Sequence, residues 1–227
     1  MIKKVKNFLS LLLIILPICI LFFYFQMSKY FPIKSVQVLG KMQYISEVSV
    51  KNILNKNISG GFFNINIKTI QQQILNIPGV SSVSIKRIWP DKLLVKLRER
   101  QVIAIWKDNF LVSPIGFIFE YSNVGDLTRL PRLYCEKKYL IKVIHMLNMM
   151  NKIIYTENNS NLDLKSLSYS SGNVIIKFKN EIINLGSENI FDRLKLFLKY
   201  RPMLIEKDIK NTPLKVDMRY PNGFSVI

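Results

Sequence analysis

The sequence predicts an α+β protein with one N-terminal transmembrane helix, a β-α-α-β-β module, and a mostly antiparallel β domain carrying two helices. Three observations predict it. Residues 8 to 25 are uncharged and nearly all apolar. Between Ile33 and Glu99, runs that alternate apolar and polar residues flank two runs with apolar residues every three or four positions. After Arg100, short alternating runs recur between turn residues and are interrupted by two helical stripes.

The first run, Phe8 to Phe25, makes a helix roughly 27 Å long, close to the ~30 Å hydrocarbon core of a bilayer. A helix pairs its own backbone groups, so lipid accepts it. Pro17 removes one of those bonds and is placed to kink the span. A cleaved leader would end in a small-x-small site, whereas Phe25-Gln26-Met27-Ser28-Lys29-Tyr30 offers none, so the reading is an uncleaved anchor over residues 8–26. Lys3, Lys4 and Lys6 crowd the preceding tail, residues 1–7, which assigns that tail to the cytoplasm and the bulk of the chain to the outer side.

Ile33 to Leu39 alternates as a strand closed by Gly40. Ser46 is placed to cap a helix with Glu47 in its first turn and an apolar stripe at Val50, Ile53 and Leu54. Gly60-Gly61 breaks the chain, and Asn66 caps a second helix with a stripe at Ile67, Ile70, Ile74 and Ile77, stopped by Pro78-Gly79. Two alternating strands follow, Val80 to Trp89 and Lys92 to Glu99, joined at Pro90-Asp91 by a turn with proline first. The helix stripes need a partner, and one face of a three-stranded sheet supplies it, leaving the other face charged. This module spans 31–100.

The remainder, 101–227, holds expected strands at Val102–Trp106, Phe110–Val112, Phe117–Tyr121, Leu167–Tyr169, Val174–Phe178, Ile182–Leu185 and Leu214–Met218. Pro114-Ile115-Gly116, Ser171-Gly172 and Asn222-Gly223 supply turns. One helix is expected from Glu136 to Ile154, with its stripe at Leu140, Val143, Ile144 and Leu147. The other, capped by Ser187, runs from Glu188 to Leu204 with Phe191, Leu194, Phe197 and Leu198 inward.

The charge balance is 33 Lys+Arg against 15 Asp+Glu, a net +18, which raises nucleic acid as a partner. The lysines are spread evenly and form no block longer than two, and a domain outside the cytoplasm meets no DNA, so that class is set aside. Attraction to anionic lipid headgroups fits the same charge. Catalytic signals are missing. The single histidine, His145, shares a helical face with Lys138 and Lys142, away from the apolar stripe. No zinc spacing, phosphate loop or paired carboxylates occur, so neither a cofactor nor a metal is expected and the chain reads as a binding protein rather than an enzyme. Cys19 in the span and Cys135 far outside it cannot pair within one chain.

The stretch Phe31-x-Ile33-x-x-Val36-x-Val38-x-Gly40, followed by Gly61-x-Phe63 and Ile77-Pro78-x-Val80, carries a family pattern. Its strongest part is Val83-x-Ile85-x-Arg87-x-Trp89-Pro90-Asp91-x-Leu93-x-Val95-x-Leu97-x-Glu99, continuing into Ala104-x-Trp106. Together these residues resemble the POTRA module of the bacterial cell division FtsQ family, called DivIB in Gram-positive bacteria. The likeness extends through Leu111-Val112-x-x-x-Gly116-x-x-Phe119, Arg193-Leu194-x-x-Phe197 with Pro202, and Val216-Asp217-x-Arg219-Tyr220-x-x-Gly223. It departs from the family at Gly79, where an aromatic is common, and at Val102, where proline is usual.

The resemblance implies an inner-membrane, single-pass scaffold at the division septum, with its bulk in the periplasm. It would link early divisome proteins, FtsK among them, to FtsB and FtsL and then to FtsW and FtsI. It also implies that FtsB adds a strand to the last strand of the chain, with Tyr220, Asn222 and Gly223 lining that site and Arg193 on the neighbouring helix. Ile85 and Arg87 match positions linked to FtsK recruitment. The alternative is a POTRA-type module that handles peptides or secretion clients and has no part in division.

Overall fold

In the computed structural model the described residues are all but 1, 27–30, 122–126, 158, 160–161, 208–213, 221–222 and 227; the side chains of 2–10, 24–26 and 206–207 are also outside the description. The chain divides into two compact units, 1–100 and 101–227.

The first unit opens with helix α1 (Ile2–Gln26), which contains Pro17. Its described side chains, residues 11–23, are all exposed. Among the described residues no helix is long and apolar enough to cross a membrane. After it come β1 (Ser35–Leu39), α2 (Glu47–Asn57), a 3-10 turn at Ile58–Gly60, α3 (Gly61–Asn64), α4 (Ile67–Leu75), β2 (Val80–Ile88) and β3 (Lys92–Glu99). The strands form one sheet in the order β1-β3-β2, with β1 parallel and β2 antiparallel to β3.

Both expected helix caps are present: the Ser46 hydroxyl accepts from the Ser49 N–H at 3.4 Å, and Asn66 Oδ1 accepts from the Thr69 N–H at 3.1 Å. The stripe residues Val50, Leu54, Ile70 and Ile74 bury themselves against Val83, Ile85, Leu93, Val95 and Leu97, while Lys86, Lys96 and Arg98 occupy the open face. Gly60-Gly61 does not simply break the chain. It passes from the 3-10 turn into the extra helical turn α3, because Gly61 takes a φ of 72° that redirects the backbone at no cost from a side chain. The turn expected with proline first instead contains a cis Trp89–Pro90 bond.

The second unit contains β4 (Ala104–Trp106), β5 (Phe110–Val112), β6 (Ile118–Glu120), β7 (Arg132–Tyr134), α5 (Leu140–Thr156), β8 (Ser166–Ser170), β9 (Asn173–Lys177), β10 (Glu181–Gly186), α6 (Ile190–Lys207), β11 (Leu214–Asp217) and β12 (Ser225–Val226). They build a nine-stranded sheet in the order β12-β11-β10-β9-β8-β7-β4-β5-β6. The hairpins β4-β5-β6 and β8-β9-β10 are antiparallel, whereas β4-β7, β7-β8 and β10-β11 are parallel. The sheet is mostly antiparallel, as expected, with three parallel pairs that the sequence did not signal. Helices α5 and α6 are the crossovers that parallel neighbours β7-β8 and β10-β11 require.

The stripes of α5 and α6 face a common core: Leu140, Val143, Ile144 and Leu147 from one, Leu194, Phe197 and Leu198 from the other. His145 is exposed, as its helical position predicts. Two boundaries move. A 3-10 turn at Lys137–Tyr139 precedes α5, and α6 begins at Ile190. Asn189, not Ser187, holds the capping position, since its carbonyl accepts from the Arg193 N–H at 2.9 Å.

Among the described residues of the second unit, one ion pair has a buried carboxylate partner. Glu181, the first residue of β10, is buried, and Arg201 of α6 donates to both its carboxylate oxygens through Nε (3.0 and 2.9 Å) and Nη2 (2.6 Å). Planar, two-pronged pairing of this kind satisfies a desolvated carboxylate. Arg201→Ala leaves that carboxylate buried without its partner, and we expect a loss of about 3 kcal/mol in urea unfolding. A loss below about 1 kcal/mol would mean that water replaces the guanidinium.

Candidate functional site

The C-terminal edge of the large sheet is built by three contacts. Strand β11 lies parallel to β10 in the register Glu181↔Leu214 to Asn184↔Asp217, extended by the Met218 N–H donating to the Asn184 carbonyl. The chain then returns, and β12 pairs antiparallel with β11 through Val216↔Val226 and Asp217↔Ser225. Phe224 anchors the return by packing on Tyr200 of α6, ring centroids 6.0 Å apart. Strand Leu214–Met218 is thus not the unpaired edge that its alternation suggests. Residues 225–226 cover it, and among the described residues β12 is the outermost strand on this side.

Arg193 joins this region to the helix. Its Nη1 donates to the Leu185 carbonyl at 2.7 Å and its Nη2 to the Arg219 carbonyl at 3.4 Å. Gly186 makes room for it: a Cβ there would lie 2.6 Å from Arg193 Nη1, and its φ is +75°. Asp217 and Arg219 form a second, local pair, Nη2 to Oδ2 at 2.6 Å. The hydrogen bonds from Arg219 hold the Asp217 carboxyl below the usual Asp value of 3.8. A depressed folded value stabilises the folded state at pH above 3.8. That contribution fades as pH falls through the lower folded value, so this brace holds at neutral pH.

Of the residues singled out from the sequence, Tyr220 is 56 % exposed and Gly223 is partly buried beside β12. Arg193 spends two of its donors inside the protein, which makes it a brace for the edge. Asn222 lies outside the described residues. In the first unit, Ile85 is only 8 % exposed and packs in the core, while Arg87 is exposed and donates to the carbonyls of Ile65 (2.8 Å) and Phe63 (3.3 Å). Both sit on β2, an edge of the small sheet. The sequence reading missed β12 and the roles of Phe224 and Gly186; the Phe224 aromatic beside the Asn222-Gly223 turn signal was the available clue.

Among the described residues no group of three or more His, Cys, Asp or Glu is placed to hold a metal. Cys135 is buried, and burial pushes its thiol up, away from the reactive thiolate. What the edge offers is backbone: unpaired N–H and C=O groups on a terminal strand are a template for another strand.

Glycines 186 and 223 separate architecture from surface. A Cβ at Gly223 meets nothing within 4 Å, so Gly223→Ala should change unfolding free energy by less than about 0.5 kcal/mol. Gly186→Ala combines a strained φ with displacement of Arg193 and should cost about 2 kcal/mol. Equal effects in chemical denaturation would contradict this division of roles.

Residues 31–100 match the family model for the POTRA domain, FtsQ-type. Across more of the chain, the protein named Cell division protein FtsQ from Coxiella burnetii is 27 % identical over 198 residues, 87 % of this chain and 81 % of that protein. Its namesake from Neisseria meningitidis serogroup B is 28 % identical over 205 residues, covering 89 % and 85 %. That from Methylomonas methanica is 25 % identical over 197 residues, covering 86 % and 78 %. The matched module coincides with the β-α-α-β-β unit and the likeness continues through the strand-and-helix unit that follows, so residues 31–100 match an FtsQ-type POTRA domain and the chain is similar over most of its length to proteins named Cell division protein FtsQ.

Proposed function

We propose that this chain is a cell division protein: a membrane-anchored, non-enzymatic scaffold. Its extracytoplasmic surface links early and late divisome proteins at the septum, with strand addition of an FtsB-type partner at its C-terminal edge. The observation that carries the reading is β12, a two-residue terminal strand that leaves the long side of a nine-stranded sheet available for extension. A partner strand would pair with the outer side of β12 and run past Tyr220 and Gly223, with Arg193 holding the segment in place from behind. Asn222 belongs to the same proposed surface. FtsL would arrive with FtsB, and FtsW and FtsI would follow as later partners.

On the POTRA unit, β2 is the corresponding edge for an FtsK-type partner. Arg87 would present its exposed guanidinium there, and buried Ile85 would set the strand's position rather than touch the partner.

Helix α1 is proposed as the anchor, oriented with residues 1–7 in the cytoplasm and the remainder in the periplasm of the inner membrane. Support comes from its apolar side chains: from Leu11 to Phe23 the large ones are between 48 and 75 % exposed, on every face of the helix. Apolar surface of that extent, uncovered by the rest of the protein, is matched by hydrocarbon and not by water.

Two measurements test the proposal. The full-length protein in detergent should capture the extracytoplasmic segments of FtsB and FtsL from the same organism. Tyr220→Ala should weaken that capture roughly tenfold or more, the loss of a well-packed interface aromatic. Capture unchanged by Tyr220→Ala moves the site, and no capture by folded protein favours the peptide-handling alternative. Deletion of residues 8–25 should move the protein from the carbonate-resistant membrane fraction to the soluble one; persistence as an integral protein would refute the anchor.

A further inference from the structure

The end of the POTRA unit that receives the chain from helix α1 carries an exposed aromatic and cationic surface that the domain core does not use. Trp89, at the tip of the β2–β3 hairpin, is 73 % exposed, and its neighbour Ile88 is 42 % exposed. Phe63 of α3 is 41 % exposed and meets the Phe31 ring edge-on at 5.3 Å. These groups belong to one end of the unit. The Lys34 N–H donates to the Asp91 carbonyl at 2.9 Å, the Phe62 N–H donates to the Phe31 carbonyl at 2.8 Å, and Arg87 bonds the Phe63 carbonyl.

Charge on the same end is one-sided. The segments that meet there, 31–35, 61–68 and 86–92, contain Lys34, Lys68, Lys86, Arg87 and Lys92 against the single acid Asp91. Asp91 is itself paired, its carboxylate 3.6 Å from Lys34 Nζ. Trp89, with Lys86 and Lys92 within three residues of it along the chain, lies outside the domain core. Exposed, it loses apolar burial that almost any other position would give it.

Its place in the chain says what covers it. Helix α1 ends at Gln26 and Phe31 is already bonded into the POTRA unit, so five residue steps connect them. Fully extended, those steps span at most ~18 Å. Helices α1 and α3 are also in contact. If α1 is the anchor, Trp89 is tethered within reach of the headgroup layer, where indole rings partition best and each lysine gains attraction to anionic lipid.

We propose that this end of the POTRA unit is a membrane seat, with Trp89, Ile88 and Phe63 entering the headgroup–acyl boundary of an anionic bilayer and Lys34 and Lys92 facing its phosphates. The proposal rests on the anchoring reading of α1. It gives the POTRA unit a fixed orientation over the bilayer, which would determine how its β2 edge is presented to partners.

The chain's two tryptophans make the seat measurable, because Trp106 is buried with its indole N–H donating to the Cys135 carbonyl at 3.0 Å. Full-length protein is reconstituted into phosphatidylcholine vesicles containing roughly one-quarter phosphatidylglycerol, with and without acyl-brominated phosphatidylcholine as quencher. Wild type should lose about half its tryptophan emission to the brominated lipid, and Trp89→Tyr, which keeps only Trp106, almost none. The Trp106 emission maximum in that variant, if as blue as a buried indole requires, shows that the fold is kept. Replacing phosphatidylglycerol by phosphatidylcholine should weaken the quenching at least twofold; equal quenching would overturn the part given to the cations. Carbonate extraction is run on the same vesicles. Protein that resists extraction while Trp89 stays unquenched overturns the seat alone, whereas protein that carbonate removes overturns the anchor and the seat with it.

Discussion

Everything the second unit can offer a partner depends on α6 being clamped along β10 at two points. Arg201 grips Glu181 at the start of the strand, and Arg193 reaches the Leu185 carbonyl near its end. The spacing is commensurate: eight helical residues rise ~12 Å and four strand residues ~13 Å, so the two arginines match the length of the strand they grip. With α6 held in this way, the crossover from β10 to β11 has one length and one direction, and β11 is delivered parallel to its neighbour. Arg193 then spends its second donor on the Arg219 carbonyl, and Phe224 finds Tyr200 on the same helix. The terminal strand is therefore positioned by the helix behind it more than by its own two-residue ladder.

The residues that carry the family likeness in the first unit turn out to meet backbone demands that a small sheet cannot meet by itself. Glu99 accepts from the N–H groups of Tyr44 and Ile45 at 2.8 and 3.0 Å, in the loop ahead of α2. Arg87 supplies donors to carbonyls left open around the end of α3. At the hairpin tip, the Asp91 carbonyl receives the incoming chain at Lys34 and Ser35. Each pairs a group that would otherwise be left without a partner where an element stops. Arg87 thus has a structural duty even though its charge faces solvent, and a role in binding would be added to that duty.

The two units divide the available surface differently. In the first, edges β1 and β2 flank a sheet with one charged, open face, and exposed Phe63, Ile88 and Trp89 lie at the end that receives the chain from α1. In the second, the long sheet ends in two short strands, β6 and β12, and short edges limit unwanted pairing while leaving room for one specific strand.

Local patterns determined much of this protein from the sequence alone. Hydrophobic periodicity located both POTRA helices, their Ser46 and Asn66 caps and the stripes of α5 and α6, because each depends on residues within a few positions of one another. The motif around Trp89-Pro90-Asp91 located the module for the same reason. Only the tertiary structure decided the rest. Strands β7 and β12 are three and two residues long, too short for alternation to register, and exist because neighbours already present hydrogen-bonding edges to them. Parallel pairing of β10 with β11 is set by a helix crossing between them, and the covering of β11 by β12 by a chain reversal beyond it. The two carbonyls that Arg193 reaches lie 8 and 26 residues away from it. Pairings over such distances are selected by the packed fold as a whole, and no local window of sequence contains them.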